Sequence, residues 1–380
     1  MNAEEYQLRT ENYLETLVQR LRLPYIDVIA YQNHRPIFRW YGGDGREHVD
    51  GHEKLFLYSA TKPLTAVCAL RLCEDKILSL DDPVADWLPR FRDVYLNDSN
   101  GQRHPPATEM KIIHLLTMTA GFTYDYQSYP IDETVFSCNG IGDTQTIVGA
   151  FVKKPLSFCP GTQFQYSLCH DILAAVIEQA AGMRFSAYMQ KTIFHPLGMH
   201  FSDFSTDVAE HAPLYMCTES GNIEKVHDPE YPIWMVFGND YESGGAGASS
   251  TAEDYIRFAD VMACGGLTNT YQLLQKETVQ SLYREYVSNL TIHNTFTCIQ
   301  GNDYGYGLGV RTRLKPTSWG LPIGEFGWDG AAGSYVMMDP VHRISVFIGM
   351  HLDCWPRIFL GEHLKIVEAL YNDMKVEQSP

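Results

Sequence analysis

Leu14, Leu17, Val18 and Leu21 recur at helical spacing, which predicts an amphipathic first helix stopped by Pro24. The pattern then changes to β-rich runs over residues 26–31 and 37–41, with Gln32-Asn33-His34-Arg35-Pro36 between them as the turn of a hairpin. Leu64, Val67, Cys68 and Leu72 mark a buried helix that begins near Ser59. From about Asp81 to Glu230, helical patterns alternate with Gly/Pro loops, and Thr251-Ala252-Glu253-Asp254 has the form of a capping box opening another helix. Strand patterns return at residues 307–312, 334–338 and 344–350, before a last helix carrying Leu364, Val367 and Tyr371. Strands at both ends with helices between them predict an α+β fold. Its antiparallel sheet is made from both ends of the chain and flanked by helices, and a mostly helical region is inserted between its halves. Residues 1–80 and 235–380 are assigned to the sheet region and 81–234 to the insertion.

Composition narrows the class. The 380 residues are 45% hydrophobic and include 23 Tyr, 18 Phe and 6 Trp, which suits a packed enzyme better than a disordered scaffold. A net charge of −17 disfavours nucleic acid as a partner, and an anionic membrane surface with it. No apolar run approaches the roughly 20 residues that span a bilayer. The start Met1-Asn2-Ala3-Glu4-Glu5 has neither the basic nor the apolar part of a signal peptide. The 9 cysteines contain no C-x-x-C pair and read as reduced thiols of a cytoplasmic protein. The 14 histidines include no H-E-x-x-H set, so no metal is expected.

Three short stretches carry the chemistry. Ser59-Ala60-Thr61-Lys62 is the chain's single S-x-x-K motif. Pro63 fits only the first turn of a helix, so that helix begins near Ser59 and puts the Ser59 hydroxyl and the Lys62 amine on one face. A serine needs a base to become nucleophilic, and a partly desolvated lysine is one. A Pro160-Gly161 turn leads to Tyr166 at the entrance of a helix with Ile172, Leu173, Val176 and Ile177 inward and Gly182 at its end. A neighbouring ammonium lowers the pKa of such a tyrosine and lets it shuttle protons. Gly327-Trp328-Asp329-Gly330-Ala331-Ala332-Gly333 lies between strand patterns, where glycines allow close backbone approach. Its Ala331 amide is a candidate oxyanion donor beside the Ser59 amide.

In this order the three elements resemble the signature of class C β-lactamases and penicillin-binding proteins, a superfamily that includes DD-peptidases, lovastatin-type transesterases and family VIII carboxylesterases. Leu80-Asp81-Asp82-Pro83-Val84, residues 114–122, Pro196-Leu197-Gly198-Met199 and Gly244-Gly245-Ala246-Gly247 resemble the same superfamily. The resemblance implies a β-lactamase/transpeptidase-like fold with Ser59, Lys62 and Tyr166 as catalytic residues. It also implies an oxyanion hole from the Ser59 and Ala331 backbones, and no metal or organic cofactor. The chain departs from the β-lactamases at Leu168, where they carry an asparagine, and at Trp328, where they carry a lysine or histidine. Trp328 is similar to the first residue of the W-G-G form of family VIII esterases, with Asp329 replacing the middle glycine.

Leu168, Trp328, Asp329 and Gly330 are accordingly read as substrate-binding. The first two favour small neutral acyl groups, and an ionised Asp329 in the cleft would disfavour an anionic ligand. The expected function is an esterase or transesterase acting on a small-molecule ester or amide through an acyl-enzyme. A β-lactamase or D-alanyl-D-alanine peptidase is the alternative, and a non-catalytic binding protein of the same fold is a further one.

Overall fold

The computed structural model describes residues 3–124, 133–134, 137–138, 142–205, 207–218, 220–227, 240–293, 303–353 and 361–374. The boundary expected at 234/235 lies outside them. Alternating apolar positions build the central sheet, whose strands are β1 (Ile26–Gln32), β2 (Arg35–Gly42), β3 (Tyr304–Tyr306), β4 (Arg311–Arg313), β5 (Phe326–Asp329), β6 (Tyr335–Asp339) and β7 (Ile344–Gly349). They form a 7-stranded sheet in the order β3-β4-β5-β6-β7-β1-β2, with every neighbouring pair antiparallel. The expected fold class is therefore found, with chain segments some 300 residues apart paired at its centre, Ile29 facing Phe347.

Period-two patterning decides which side each residue serves. Val28, Ala30, Tyr335, Met337, Val346 and Ile348 pack on one face beneath α1 (Ala3–Leu21), while Ile29, Val336, Met338 and Phe347 belong to the core on the other. That second core receives α2 (Lys62–Glu74), α3 (Cys169–Ala181) and α4 (Ala252–Ala263). The last helix, α5 (Glu362–Met374), joins α1 through Ile366, Val367 and Leu370.

Two expectations fail locally. Residues 307–312 do not make one strand, because the chain bends between β3 and β4: Gly309 has φ +81°, and a side chain at Gly307 would meet the Leu282 carbonyl oxygen at 2.1 Å. The capping box at Thr251 is half made. The Thr251 hydroxyl accepts from the Asp254 N–H (3.2 Å), but the Asp254 carboxylate turns instead to the Phe201 N–H (2.6 Å). The cysteines depart from a wholly reduced set, for Cys217 is disulfide-bonded while Cys68, Cys73, Cys138, Cys159, Cys169 and Cys264 are free thiols. Among the described residues no helix is long and apolar enough to cross a membrane.

Thr10 of α1 clasps Asp373 of α5, giving both its N–H (2.9 Å) and its hydroxyl to one buried carboxylate oxygen. Thr10→Val removes the hydroxyl donor alone and should lower the unfolding free energy by about 1–3 kcal/mol in urea titrations.

Candidate active site

Ser59 owes its position to a tight backbone path. Residues Leu55–Phe56 pair with Ser249–Ser250, and Tyr58 then adopts φ +48°, a left-handed conformation that costs a non-glycine residue about 1–3 kcal/mol. A 3-10 turn, Tyr58–Thr61, carries Ser59 straight into α2, with Pro63 in the first turn of that helix. Lys62 Nζ lies 3.1 Å from Ser59 Oγ and donates to the Gly245 carbonyl at 2.8 Å. The Lys62 side chain is wholly buried. Burial pulls its pKa down to about 7, against the opposing pull of Asp171 and Cys169.

The glycine-rich segment at 244–247 lies along α2 because hydrogen bonds fasten it there. Thr65 Oγ1 donates to the Gly244 carbonyl (2.6 Å), and the Ala248 N–H donates to Thr61 Oγ1 (3.1 Å). On the far side of that segment runs α3. A side chain at Gly244 would strike the His170 carbonyl oxygen at 2.2 Å, so only glycine lets the strip pass between the two helices.

Tyr166 shares the cleft, its ring 4.6 Å from Lys62 Nζ. Its hydroxyl accepts from Trp328 Nε1 at 3.0 Å and also hydrogen-bonds Ser59, with Tyr124 nearby. The expected lowering of its pKa is reversed. Burial of the hydroxyl raises it well above the ordinary tyrosine value, and these hydrogen bonds offset only part of that. Tyr166 is therefore a neutral phenol at physiological pH. Tyr124, which no motif marked, stands beside both groups, 5.2 Å from the Tyr166 ring centroid and 5.5 Å from Lys62 Nζ.

The glycine edge reaches the same place. The Gly333 N–H donates to the Gly330 carbonyl (2.9 Å) and the Gly330 N–H to the Ser334 carbonyl (2.7 Å), so neither bond of this turn uses the Ala331 N–H. Gly330 is buried, and a side chain there would meet the Leu57 carbonyl oxygen at 2.1 Å, which makes it a packing residue against the Ser59 turn. Trp328 is 6% exposed and packs edge-to-face on Tyr306, its N–H spent on Tyr166.

Two residues read as substrate-binding face elsewhere. Leu168, at the N-cap of α3, is 1% exposed and belongs to the core, because the first turn of that helix is itself buried. Asp329 bonds buried Arg311 (2.9 Å), whose guanidinium also holds Glu325 and the Val336 carbonyl.

Outside the cleft, His34, Asp260 and Cys264 bring possible metal ligands within 4.8 Å of one another. The His34 N–H and ring nitrogen both bond Asp260 (3.1 and 2.7 Å), which accounts for the group as the docking of the β1–β2 turn on α4. A surface hollow of about 270 Å³ bounded by Trp87, Arg90, Gln145 and Gly149 contains none of the groups around Ser59.

A serine and a buried lysine at a helix start, beside the glycine turn of an antiparallel sheet, make up the architecture of a serine hydrolase. The Beta-lactamase family model matches residues 10–359, and the chain belongs to that family. It is 28% identical over 318 residues to Esterase EstB of Burkholderia gladioli, covering 77% of this chain and 76% of that one. Among solved structures, EstCE1, described as a hydrolase with promiscuous acyltransferase activity, superposes with a TM-score of 0.78 at 24% identity, covering 97% of this chain and 99% of its own. Simvastatin synthase (LovD) from Aspergillus terreus gives a TM-score of 0.77 at 18% identity, covering 97% of this chain and 98% of its own.

If Lys62 is the base, its neutral form is the active one. Ester turnover should then rise with pH through about 7, the value burial gives that amine, and level off above it. Tyr166→Phe should lower the plateau by at least about 10²-fold. The wild-type profile should show no limb assignable to a Tyr166 tyrosinate, a pattern that steady-state rates from pH 5 to 10 would record.

Proposed function

We propose that the protein is an esterase or transesterase that works through an acyl-enzyme on Ser59 and takes small neutral acyl groups. The observation that carries this reading is the wholly buried Lys62 amine 3.1 Å from Ser59 Oγ, and burial lowers its pKa to about 7. Ser59 Oγ adds to the substrate carbonyl carbon while its proton passes to Lys62. The backbone N–H groups of Ser59 and Ala331 hold the oxygen that becomes negative. As the carbonyl re-forms, the leaving alcohol takes a proton from Lys62 through the Tyr166 hydroxyl, and the acyl group stays on Ser59. Water or a second alcohol then adds to the acyl-enzyme by the reverse sequence, the first giving hydrolysis and the second transesterification.

In this reading the sheet region supplies Ser59 and the glycine turn, and the inserted region, residues 81–234, supplies Tyr166. The likeness to EstB supports an ester substrate, and those to EstCE1 and LovD support transfer to alcohols. Neutral acyl groups are favoured because Trp328 presents an indole where a carboxylate would need a cation, and Arg311 is committed to Asp329 and Glu325. We also propose a cytoplasmic location, on the free thiols of Cys68, Cys73, Cys138, Cys159, Cys169 and Cys264.

A fluorophosphonate probe should add once, on Ser59, by intact-mass and peptide analysis, and Ser59→Ala should abolish the adduct. p-Nitrophenyl acetate or butyrate should be hydrolysed with kcat/KM at least about 10²-fold above that of a chromogenic cephalosporin, a gap of roughly 2.7 kcal/mol. The reverse order would put the β-lactamase alternative first.

A further inference from the structure

Lys62 on α2 and Asp171 in the first turn of α3 approach each other across the glycine strip. A Cβ added to Gly245 would lie 2.6 Å from Asp171 Oδ2 and 3.5 Å from Lys62 Nζ, so the absence of a side chain there leaves carboxylate and amine facing one another. The carboxylate is 2% exposed. Its Oδ1 accepts from the Tyr241 and Ser243 hydroxyls, each at 2.6 Å, and the Gly245 N–H bonds it as well. Burial raises the pKa of this carboxyl, while the three neutral donors and the Lys62 cation oppose that by favouring its ionised form.

We propose that Asp171 is a positioning residue of this site, a buried counter-charge that stabilises the Lys62 ammonium formed when the amine takes the Ser59 proton. The inference rests on the reading of Ser59 and Lys62 given above and deepens it. A lysine that gains a proton away from water needs compensation, and a carboxylate fixed on the other side of one glycine provides it without forming a direct bond that would hold the amine away from Ser59. Among the described residues, the other groups around the amine carry no charge that could do the same. Burial raises the Tyr166 hydroxyl, raises the Cys169 thiol to about 11 and lowers the His170 imidazole, so all three are neutral around pH 7. Among the described residues, Tyr124 and Ser59 also stand beside the amine.

The direction of the effect follows from the sign of the charge. Removing a negative neighbour makes the ammonium harder to form. Asp171→Asn should therefore be a weaker catalyst at its plateau yet retain its neutral amine to lower pH. The measurement is the second-order rate of fluorophosphonate labelling of Ser59 from pH 5 to 10. Wild-type protein should show a midpoint at about 7. Asp171→Asn should show a midpoint at least about one pH unit lower and a plateau reduced by about tenfold or more.

Asp171→Ser, which likewise removes the negative charge, should move the midpoint the same way and serves if the asparagine variant does not fold. A folded Asp171→Asn protein with an unmoved or raised midpoint overturns the role of Asp171 alone, whatever happens to its plateau. Wild-type protein without a Ser59 adduct overturns the nucleophile assignment and this inference with it.

Discussion

Keeping the Lys62 amine out of water is the constraint around which the cleft is organised, because an ammonium buried without compensation costs several kcal/mol. Its location just inside α2 leaves no room for a bulky neighbour, and the elements around it are shaped to match. The strip at 244–247 threads between α2 and α3 on glycines and turns one carbonyl toward the amine. The 3-10 turn brings Ser59 to the same point at the expense of a left-handed Tyr58. Aromatic rings of Tyr124, Tyr166, Tyr306 and Trp328 form the wall that keeps the local dielectric low.

The far side of the sheet edge is built on charge. Arg311 is fully buried, bonds Glu325, Asp329 and the Val336 carbonyl, and lies 4.4 Å from the Tyr335 ring centroid. A guanidinium so engaged holds β4, β5 and β6 in one register and explains how an aspartate is accommodated next to Trp328. Asp329, Glu325 and Arg311 are best understood as one unit, since either carboxylate without the guanidinium would be an uncompensated charge close to the core.

Much of the fold was legible because period-two and helical spacings report burial directly. Strands 26–32, 335–339 and 344–349 fall within a residue or so of their expected bounds, as do the turn at Pro160-Gly161 and the helix end at Gly182. The failures have physical causes. Trp328 and Asp329 are adjacent in a strand and so must point to opposite faces, which the motif resemblance obscured although the alternation was there to be read. Leu168 was assigned by its position after Tyr166, yet an apolar residue at a buried helix start belongs to the core. The ionisation of Tyr166 depends on how deep its hydroxyl sits, a three-dimensional quantity with no sequence signature. Tyr124 and Asp171 meet Lys62 from elements far apart in the chain, and nothing local marks them.

The pairing of β1 with β7 also sets an order of events. Asp27 opposes Gly349, so the two central strands are separated by most of the polypeptide. During synthesis the β1–β2 hairpin emerges early with its apolar faces uncovered, and its second neighbour arrives only after more than 300 further residues have been made. Such non-local closure slows folding and lengthens the time in which exposed strand edges meet other chains. The same topology that brings Ser59 under the glycine turn thus makes the nascent chain dependent on its final strands. A growing chain arrested before β5 would have no sheet edge for its serine to face.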